Sequence, residues 1–182
     1  MTLLILGLLL WAAAHYFKRI APDARAKLGE PGKGLVAVVS IGAIVLMVLG
    51  YRASEDVPLW DLGPAAISAN NLIMVVVVIL FGVGQSKSRL RGRLRHPMLT
   101  GLLLWVVAHL MVNGDLSSVV LFGGLGLWAI GSMILINRAE PAPVPFVDGT
   151  LRGDVKLFAI SVVVFIVIAA LHTYLGRWPF PG

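Results

Sequence analysis

Six long apolar segments dominate the chain and leave few ways for it to fold. They run over residues 2–17, 34–51, 65–84, 97–112, 117–136 and 156–175. A helix needs about 20 apolar residues to cross a bilayer, so these segments approach the length of a full crossing. Only 13% of the 182 residues are charged and 58% are hydrophobic, whereas a soluble domain carries about 25% charged residues. The sequence therefore predicts an all-α, polytopic membrane helix bundle of about six transmembrane helices, formed by a single domain over residues 1–182 and surrounded by lipid.

The positive charges are distributed asymmetrically between the two sides of the predicted membrane domain. Of the 15 Lys and Arg residues, all but Arg52 and Arg177 lie in or beside the connections between segments 1 and 2, 3 and 4, and 5 and 6. Such an excess marks the cytoplasmic side of a membrane protein. It places these three connections in the cytoplasm and both termini outside. The net charge of +6 is thereby explained by topology, and no nucleic-acid partner is predicted.

The chain contains no cysteine, which limits the metal chemistry open to it. Disulfides, thiolate zinc sites, iron–sulfur clusters and the covalent attachment of c-type haem are all excluded.

All four histidines lie in or at the edge of an apolar segment: His15, His96, His109 and His172. An ionisable residue within a membrane marks a functional site by default, although each imidazole has a structural alternative, a hydrogen bond to a neighbouring carbonyl. Imidazoles without cysteine or clustered carboxylates suit haem iron better than hard cations. We therefore predict a b-type haem, with these four histidines as its candidate ligands or contacts.

Depth in the membrane sorts the histidines into two pairs. At about 1.5 Å per residue, His109 lies roughly 18 Å from the start of its segment, and His172 roughly 22 Å from a cytoplasmic edge at Leu157. These two form an outer pair, and His15 and His96 an inner pair. His96 is about 140° around the helix from His109, which disfavours two stacked haems. A single haem is the resulting prediction, since a six-coordinate b-type haem needs two histidines at one height on facing helices.

Residues close to His109 have two possible roles each. Trp105 lies one helical turn before His109, where it could flank a porphyrin or pack as an ordinary aromatic residue. Asn113 and Asp115 follow the same segment, where they could orient the imidazole or cap the turn to the next helix.

Two other segments have distinctive compositions. "FGGLGLWAIG" (122–131) predicts close helix–helix approach through small residues, or a flat cofactor lying against them. "AEPAPVPFVDG" (139–149) predicts an irregular, proline-rich connection.

The run "RHPMLTGLLLWVVAHLMVNGD" (95–115) resembles the NnrU family of bacterial membrane proteins. The similarity continues in "WAAAHYF" (11–17), "YRASEDVPLW" (51–60), "FGGLGLWAIG" and "LHTYLGRWPFPG" (171–182), and so covers most of the chain.

The resemblance implies a multi-pass protein of the bacterial inner membrane and two possible roles. NnrU-type proteins are associated with nitrite and nitric oxide reductase function in denitrification, which implies nitric oxide as a ligand. A related branch is the 15-cis-zeta-carotene isomerase, a haem-b enzyme whose substrate is a polyene. That branch implies His15 and His109 as iron ligands, although straight helices separate them by about 15 Å in depth. His109 is therefore kept as a ligand, and its partner stays open between His15 and His172. Whether this chain is an enzyme stays open.

"RHPMLTG" (95–101) also resembles the Arg-His-Pro-x-Tyr-x-Gly signature of membrane methyltransferases of the isoprenylcysteine carboxyl type, which use S-adenosylmethionine. Two departures count against this alternative. Leu99 occupies the tyrosine position, and the expected Glu-Glu-x-x-Leu stretch is missing from residues 137–156.

Overall fold

The computed structural model of the protein describes residues 1–141 and 146–181. Within those ranges the regular structure is helical, apart from an isolated bridge between Pro58 and Asp115. The helices are α1 (Thr2–Ile20), α2 (Pro22–Lys27), α3 (Pro31–Arg52), α4 (Pro64–Val83), α5 (Pro97–Val112), α6 (Leu116–Ala139) and α7 (Leu151–Tyr174), with a 3₁₀ helix at Arg89–Gly92. Part of the predicted proline-rich connection, residues 142–145, lies outside the described residues.

Five of the described helices, α1, α3, α4, α6 and α7, are long and apolar enough to cross a membrane. The sixth apolar helix, α5, has only 16 residues. The all-α, polytopic membrane fold is therefore confirmed, with one apolar helix shorter than the other five. The side on which the termini lie and the single-domain organisation stay predictions.

Proline begins four of the helices, α2, α3, α4 and α5. The first helical position has no intrahelical partner for a backbone N–H, so proline costs nothing there and its fixed φ favours the helix. Helix α7 begins without proline. Its N-cap is Thr150, whose Oγ1 accepts a hydrogen bond from the Gly153 N–H at 3.0 Å. Because of this cap, α7 begins at Leu151, five residues before the predicted apolar segment, which starts at residue 156.

The chain forms two compact units. Unit 1 comprises Met1–Trp60 and Gly114–Ala139, and unit 2 comprises Asp61–Asn113 and Glu140–Gly182.

In unit 1, α1 packs against both α3 and α6. Glycines allow the close approach: a Cβ on Gly7 would lie 2.8 Å from the Ala43 carbonyl oxygen, and one on Gly124 would lie 2.8 Å from the Leu8 side chain. Gly131 leaves the corresponding space for the Tyr16 hydroxyl. Close approach through the small residues of segment 122–131 is confirmed at Gly124 and Gly131.

In unit 2, α4 packs against both α5 and α7. Leu157 of α7 fills the space beside Gly82, and Phe81 of α4 fills the space beside Gly101. Large apolar residues elsewhere on α7 are exposed, among them Phe158 and Ile166. This surface suits lipid, since a membrane helix has no need to bury an apolar stripe against protein.

The two basic connections of unit 2 meet at one end of it. Asp154, in the first turn of α7, accepts hydrogen bonds from the Ser88 hydroxyl at 2.7 Å and from the Arg89 backbone at 2.9 Å, and it forms an ion pair with the Arg89 guanidinium. The Thr150 N–H donates to the Lys87 carbonyl at 3.0 Å. The connections before α5 and before α7 therefore share a side of unit 2, as the charge asymmetry predicts.

Candidate functional site

His109 lies in the last turn of α5 and is half-buried. Its Nδ1 lies 3.0 Å from the Trp105 carbonyl oxygen, one turn earlier. A carbonyl can only accept, so Nδ1 carries the proton and the lone pair of the neutral ring is on Nε2. This is the tautomer in which metal-ligating histidines are commonly held, although a histidine with a purely structural role makes the same bond.

The Trp105 ring lies beside the imidazole that its carbonyl orients. The ring centroids of Trp105 and His109 are 4.5 Å apart, with an angle of 43° between the planes. One residue therefore restrains His109 twice, through its backbone and through its ring. A contact between Trp105 and a porphyrin stays a prediction.

Asn113 and Asp115 cap helices in this structure. The Asn113 side chain donates to the His109 carbonyl oxygen at 2.9 Å, at the end of α5. Asp115 accepts from the Ser118 N–H at 2.9 Å and from the Ser118 hydroxyl, at the start of α6. Capping, the second of the two roles considered, is confirmed for both residues.

His172 lies in the last turn of α7, in the same unit as His109. Its Nδ1 donates to the Ile168 carbonyl at 2.8 Å, so its lone pair is also on Nε2. The side chain is exposed.

The heights of His109 and His172 are counted from Pro97 in α5 and from Leu157 in α7. Both of these reference residues contact α4 at nearly the same level. Pro97 lies 3.9 Å from the position of a Cβ on Gly84, and Leu157 lies 2.7 Å from that on Gly82. Positions two residues apart differ by about 3 Å along a helix. On straight helices the two histidines therefore lie at the same end of unit 2, roughly 7 Å apart in height. Their pairing at one iron stays a prediction.

His15 lies in unit 1, on α1, which continues to Ile20 instead of ending at residue 17. Its Nδ1 donates to the Trp11 carbonyl at 2.8 Å, and its ring centroid lies 4.0 Å from that of Trp11 and 5.1 Å from that of Trp128. The indole Nε1 atoms of both tryptophans are buried and have no hydrogen-bond acceptor among the described residues. In both pairs, Trp11–His15 and Trp105–His109, the tryptophan carbonyl accepts from the histidine Nδ1 and the two rings lie side by side. The site around His15 differs in its two unsatisfied indole N–H donors.

His96 is the residue before the first turn of α5. Its backbone carbonyl accepts from the Thr100 N–H at 2.9 Å, and its side chain makes no cap hydrogen bond. The structure thus places His96 at the start of α5, apart from the last turn that holds His109.

Sequence analysis missed the contribution of two residues. Trp128 of α6 contacts His15, and its carbonyl accepts from the Tyr16 hydroxyl at 2.8 Å. Asn70 of α4 is 9% exposed, and its Oδ1 has no donor among the described residues. The consecutive amides at 70 and 71 in an apolar helix are a detectable signal, since buried polar groups in membranes are costly and mark functional positions.

No group of three or more His, Cys, Asp or Glu side chains in the described part of the chain could hold a metal ion. A haem differs from such a centre because the porphyrin supplies four of the iron ligands and the protein only one or two.

These features define a multi-pass helical membrane protein with helix-borne histidines in both of its units. A family model described as NnrU protein matches residues 3–179. The chain therefore belongs to the NnrU family, as the sequence motifs predicted. No curated protein and no solved structure matches it.

Proposed function

We propose that this NnrU family member binds a b-type haem in the cytoplasmic membrane of a bacterium, with His109 as an iron ligand. In this proposal it acts either as a cis–trans isomerase of a polyene or as an accessory protein for nitrite and nitric oxide reduction.

The observation that carries the proposal is the hydrogen bond from His109 Nδ1 to the Trp105 carbonyl. It gives the imidazole the tautomer that a haem ligand requires, on a half-buried position of an apolar helix. The donor set therefore fits haem iron, and it does not fit the hard cations, which prefer oxygen ligands.

His172 is the favoured partner of His109. Both belong to unit 2, lie at the same end of it and present the same tautomer. His15, the partner implied by the isomerase branch, has that tautomer too and lies in unit 1. We propose His109 with His172 as the ligand pair, and the pair implied by the isomerase branch, His109 with His15, is the alternative.

The protein's own residues would set the properties of the site. Trp105 restrains the His109 ring, and Asn113 secures the carbonyl at the end of the same turn. A haem so held would supply an iron able to exchange electrons or to bind a small ligand. The apolar helices around it would exclude water and admit a hydrophobic polyene or nitric oxide.

The first experiment is an absorption spectrum of the purified protein, before and after addition of hemin. A Soret band is expected, and a preparation that stays colourless with hemin would refute the proposal. Binding of S-adenosylmethionine by a colourless preparation would instead favour the methyltransferase alternative.

Single alanine variants at the four histidines then identify the ligands. His109→Ala should lose most of the haem, while His96→Ala, a variant at the helix start, serves as the matched control and should keep it. Loss in His172→Ala or in His15→Ala identifies the second ligand. Equal haem content in all four variants would show that no histidine holds the cofactor.

The two roles differ in their products. An isomerase converts a poly-cis carotene into an isomer that chromatography resolves, in a reaction that His109→Ala should abolish. An accessory protein should leave the carotene unchanged, and its reduced form should bind nitric oxide with a shift of the Soret band.

A further inference from the structure

A cavity of about 700 Å³ lies between α4 and α7, within unit 2. It is distinct from the histidine sites, since none of the four histidines lines it. Its α7 wall is a single stripe that runs from Gly153 through Leu157 and Val164 to Ile168. These 15 residue steps span roughly 22 Å, more than half of the ~30 Å hydrocarbon core.

The two ends of this cavity differ in chemistry. Apolar side chains line the length of α7 and the facing part of α4, including Val78 and Phe81. Lys87, Arg152 and Lys156 line the other end, beside the connections that the positive-inside rule assigns to the cytoplasm.

The three cations have no acidic partner in the described part of the chain. The nearest acid along α7, Asp154, does not line the cavity, and Ser88 and Arg89 already bind both of its oxygens. Arg152 and Lys156 are four residues apart on one helix, a spacing at which like charges repel. An anion between them would remove that repulsion.

We propose that this cavity binds an anionic phospholipid of the cytoplasmic leaflet. Its phosphate lies among Lys87, Arg152 and Lys156, and one acyl chain runs along the α7 stripe toward Ile168. Basic pockets between transmembrane helices on the cytoplasmic side are suited to anionic headgroups. The depth of the apolar stripe favours a lipid over a free anion, because a free anion would leave that stripe unfilled.

The test measures lipid retention by the full-length protein in detergent, using native mass spectrometry with phosphatidylglycerol or phosphatidylcholine. Wild type should retain one phosphatidylglycerol in preference to phosphatidylcholine, and millimolar inorganic phosphate should not displace it. Equal retention of the two lipids would overturn the headgroup assignment. Displacement by phosphate alone would mean that the cations bind a free anion.

Charge variants test the headgroup end. Each basic side chain near an anionic lipid contributes a factor of up to about five in affinity. The triple variant K87Q/R152Q/K156Q should therefore bind phosphatidylglycerol roughly 100-fold more weakly. The matched control K18Q/K27Q/R93Q removes the same number of lysines and arginines from exposed positions outside the cavity. If both triple variants bound phosphatidylglycerol equally weakly, the loss of affinity would follow from net charge alone, and a specific site would be refuted.

Steric variants test the acyl end at constant charge. Val164→Trp fills the cavity, whereas Val163→Trp places the same side chain on α7 outside it. Retention should fall only in Val164→Trp, provided that thermal unfolding shows both variants folded. A second copy of the chain is the other possible occupant of the cavity. Because the chain has no cysteine, a single Val164→Cys variant tests for it by forming a disulfide between two copies. Efficient disulfide dimerisation with no retained lipid would assign the cavity to a second copy and overturn the proposal.

Discussion

Replacing Gly50 by alanine tests how α1 and α3 are held together. An alanine Cβ at this position would lie 2.7 Å from the Leu4 Cα and 2.8 Å from the Leu3 carbonyl carbon. Both are backbone atoms, so no change of rotamer relieves the clash and α1 has to move. Overpacking of this kind costs about 1–3 kcal/mol.

The same helix provides a matched control. A Cβ on Gly42 would meet nothing within 4 Å. Gly42→Ala and Gly50→Ala both gain the helix propensity of alanine over glycine, about 1 kcal/mol. The difference between the two variants therefore isolates the contact with α1.

The assay is thermal unfolding in detergent, followed by far-ultraviolet circular dichroism. For a chain of this size, 1 kcal/mol corresponds to about 2–4 °C in Tm, so Gly50→Ala should melt about 2–12 °C below Gly42→Ala. Gly50→Val should melt lower still, because its side chain is larger. Equal Tm values for the two alanine variants would refute the close packing of α1 on α3 at Gly50.

Three further substitutions have predicted effects on stability, each measured by the same melting assay. Asp115→Ala removes the cap of α6 and should cost about 0.5–2 kcal/mol, whereas Asp115→Asn should retain most of it; no loss in Asp115→Ala would contradict the capping role. Tyr16→Phe removes the hydrogen bond to the Trp128 carbonyl and should cost about 1 kcal/mol; an unchanged Tm would show that the bond adds nothing. Asn70→Leu replaces a buried amide whose Oδ1 has no donor among the described residues and whose Nδ2 donates a long hydrogen bond, 3.3 Å, to Asn71. It should raise stability by about 1 kcal/mol or more; a lower Tm would show that the hydrogen bonds of this amide outweigh its unsatisfied oxygen.

Hydropathy and turn residues were sufficient to predict most of the helices. The bounds of α5 were predicted to the residue, because Pro97 begins the helix and Asn113 ends it. The end of α1 was missed by three residues, since Lys18 and Arg19 interrupt the apolar run without ending the helix. Long basic side chains can keep their charge in water while their stems stay along the helix.

The pairing of helices was beyond sequence analysis. In a soluble protein an apolar stripe reveals the buried face, but α4 and α5 are apolar around most of their surface. Lipid and protein interior are equally apolar, so composition does not distinguish them. That α4 lies against both α5 and α7 follows from the contacts at Gly101 and Gly82, which no periodicity marks.

Only part of the candidate site could be predicted from the sequence, because contacts between helices leave no local pattern. Hydrogen bonds from His15 and His109 to the carbonyl one turn earlier are local and follow from helix geometry. The contact of Trp128 with His15 joins residues that are 113 positions apart, and local spacing cannot predict it.

The length of α5 affects the bilayer around it. Sixteen residues extend about 24 Å, some 6 Å less than the hydrocarbon thickness. The membrane beside α5 must therefore become thinner, or the turn after Val112 must lie below the headgroups. The turn tolerates that depth, because the Asn113 N–H donates to the His109 carbonyl and the Gly114 carbonyl accepts from Leu59. Either way, less apolar depth separates the last turn of α5, which holds His109, from the membrane surface than a full-length helix would provide.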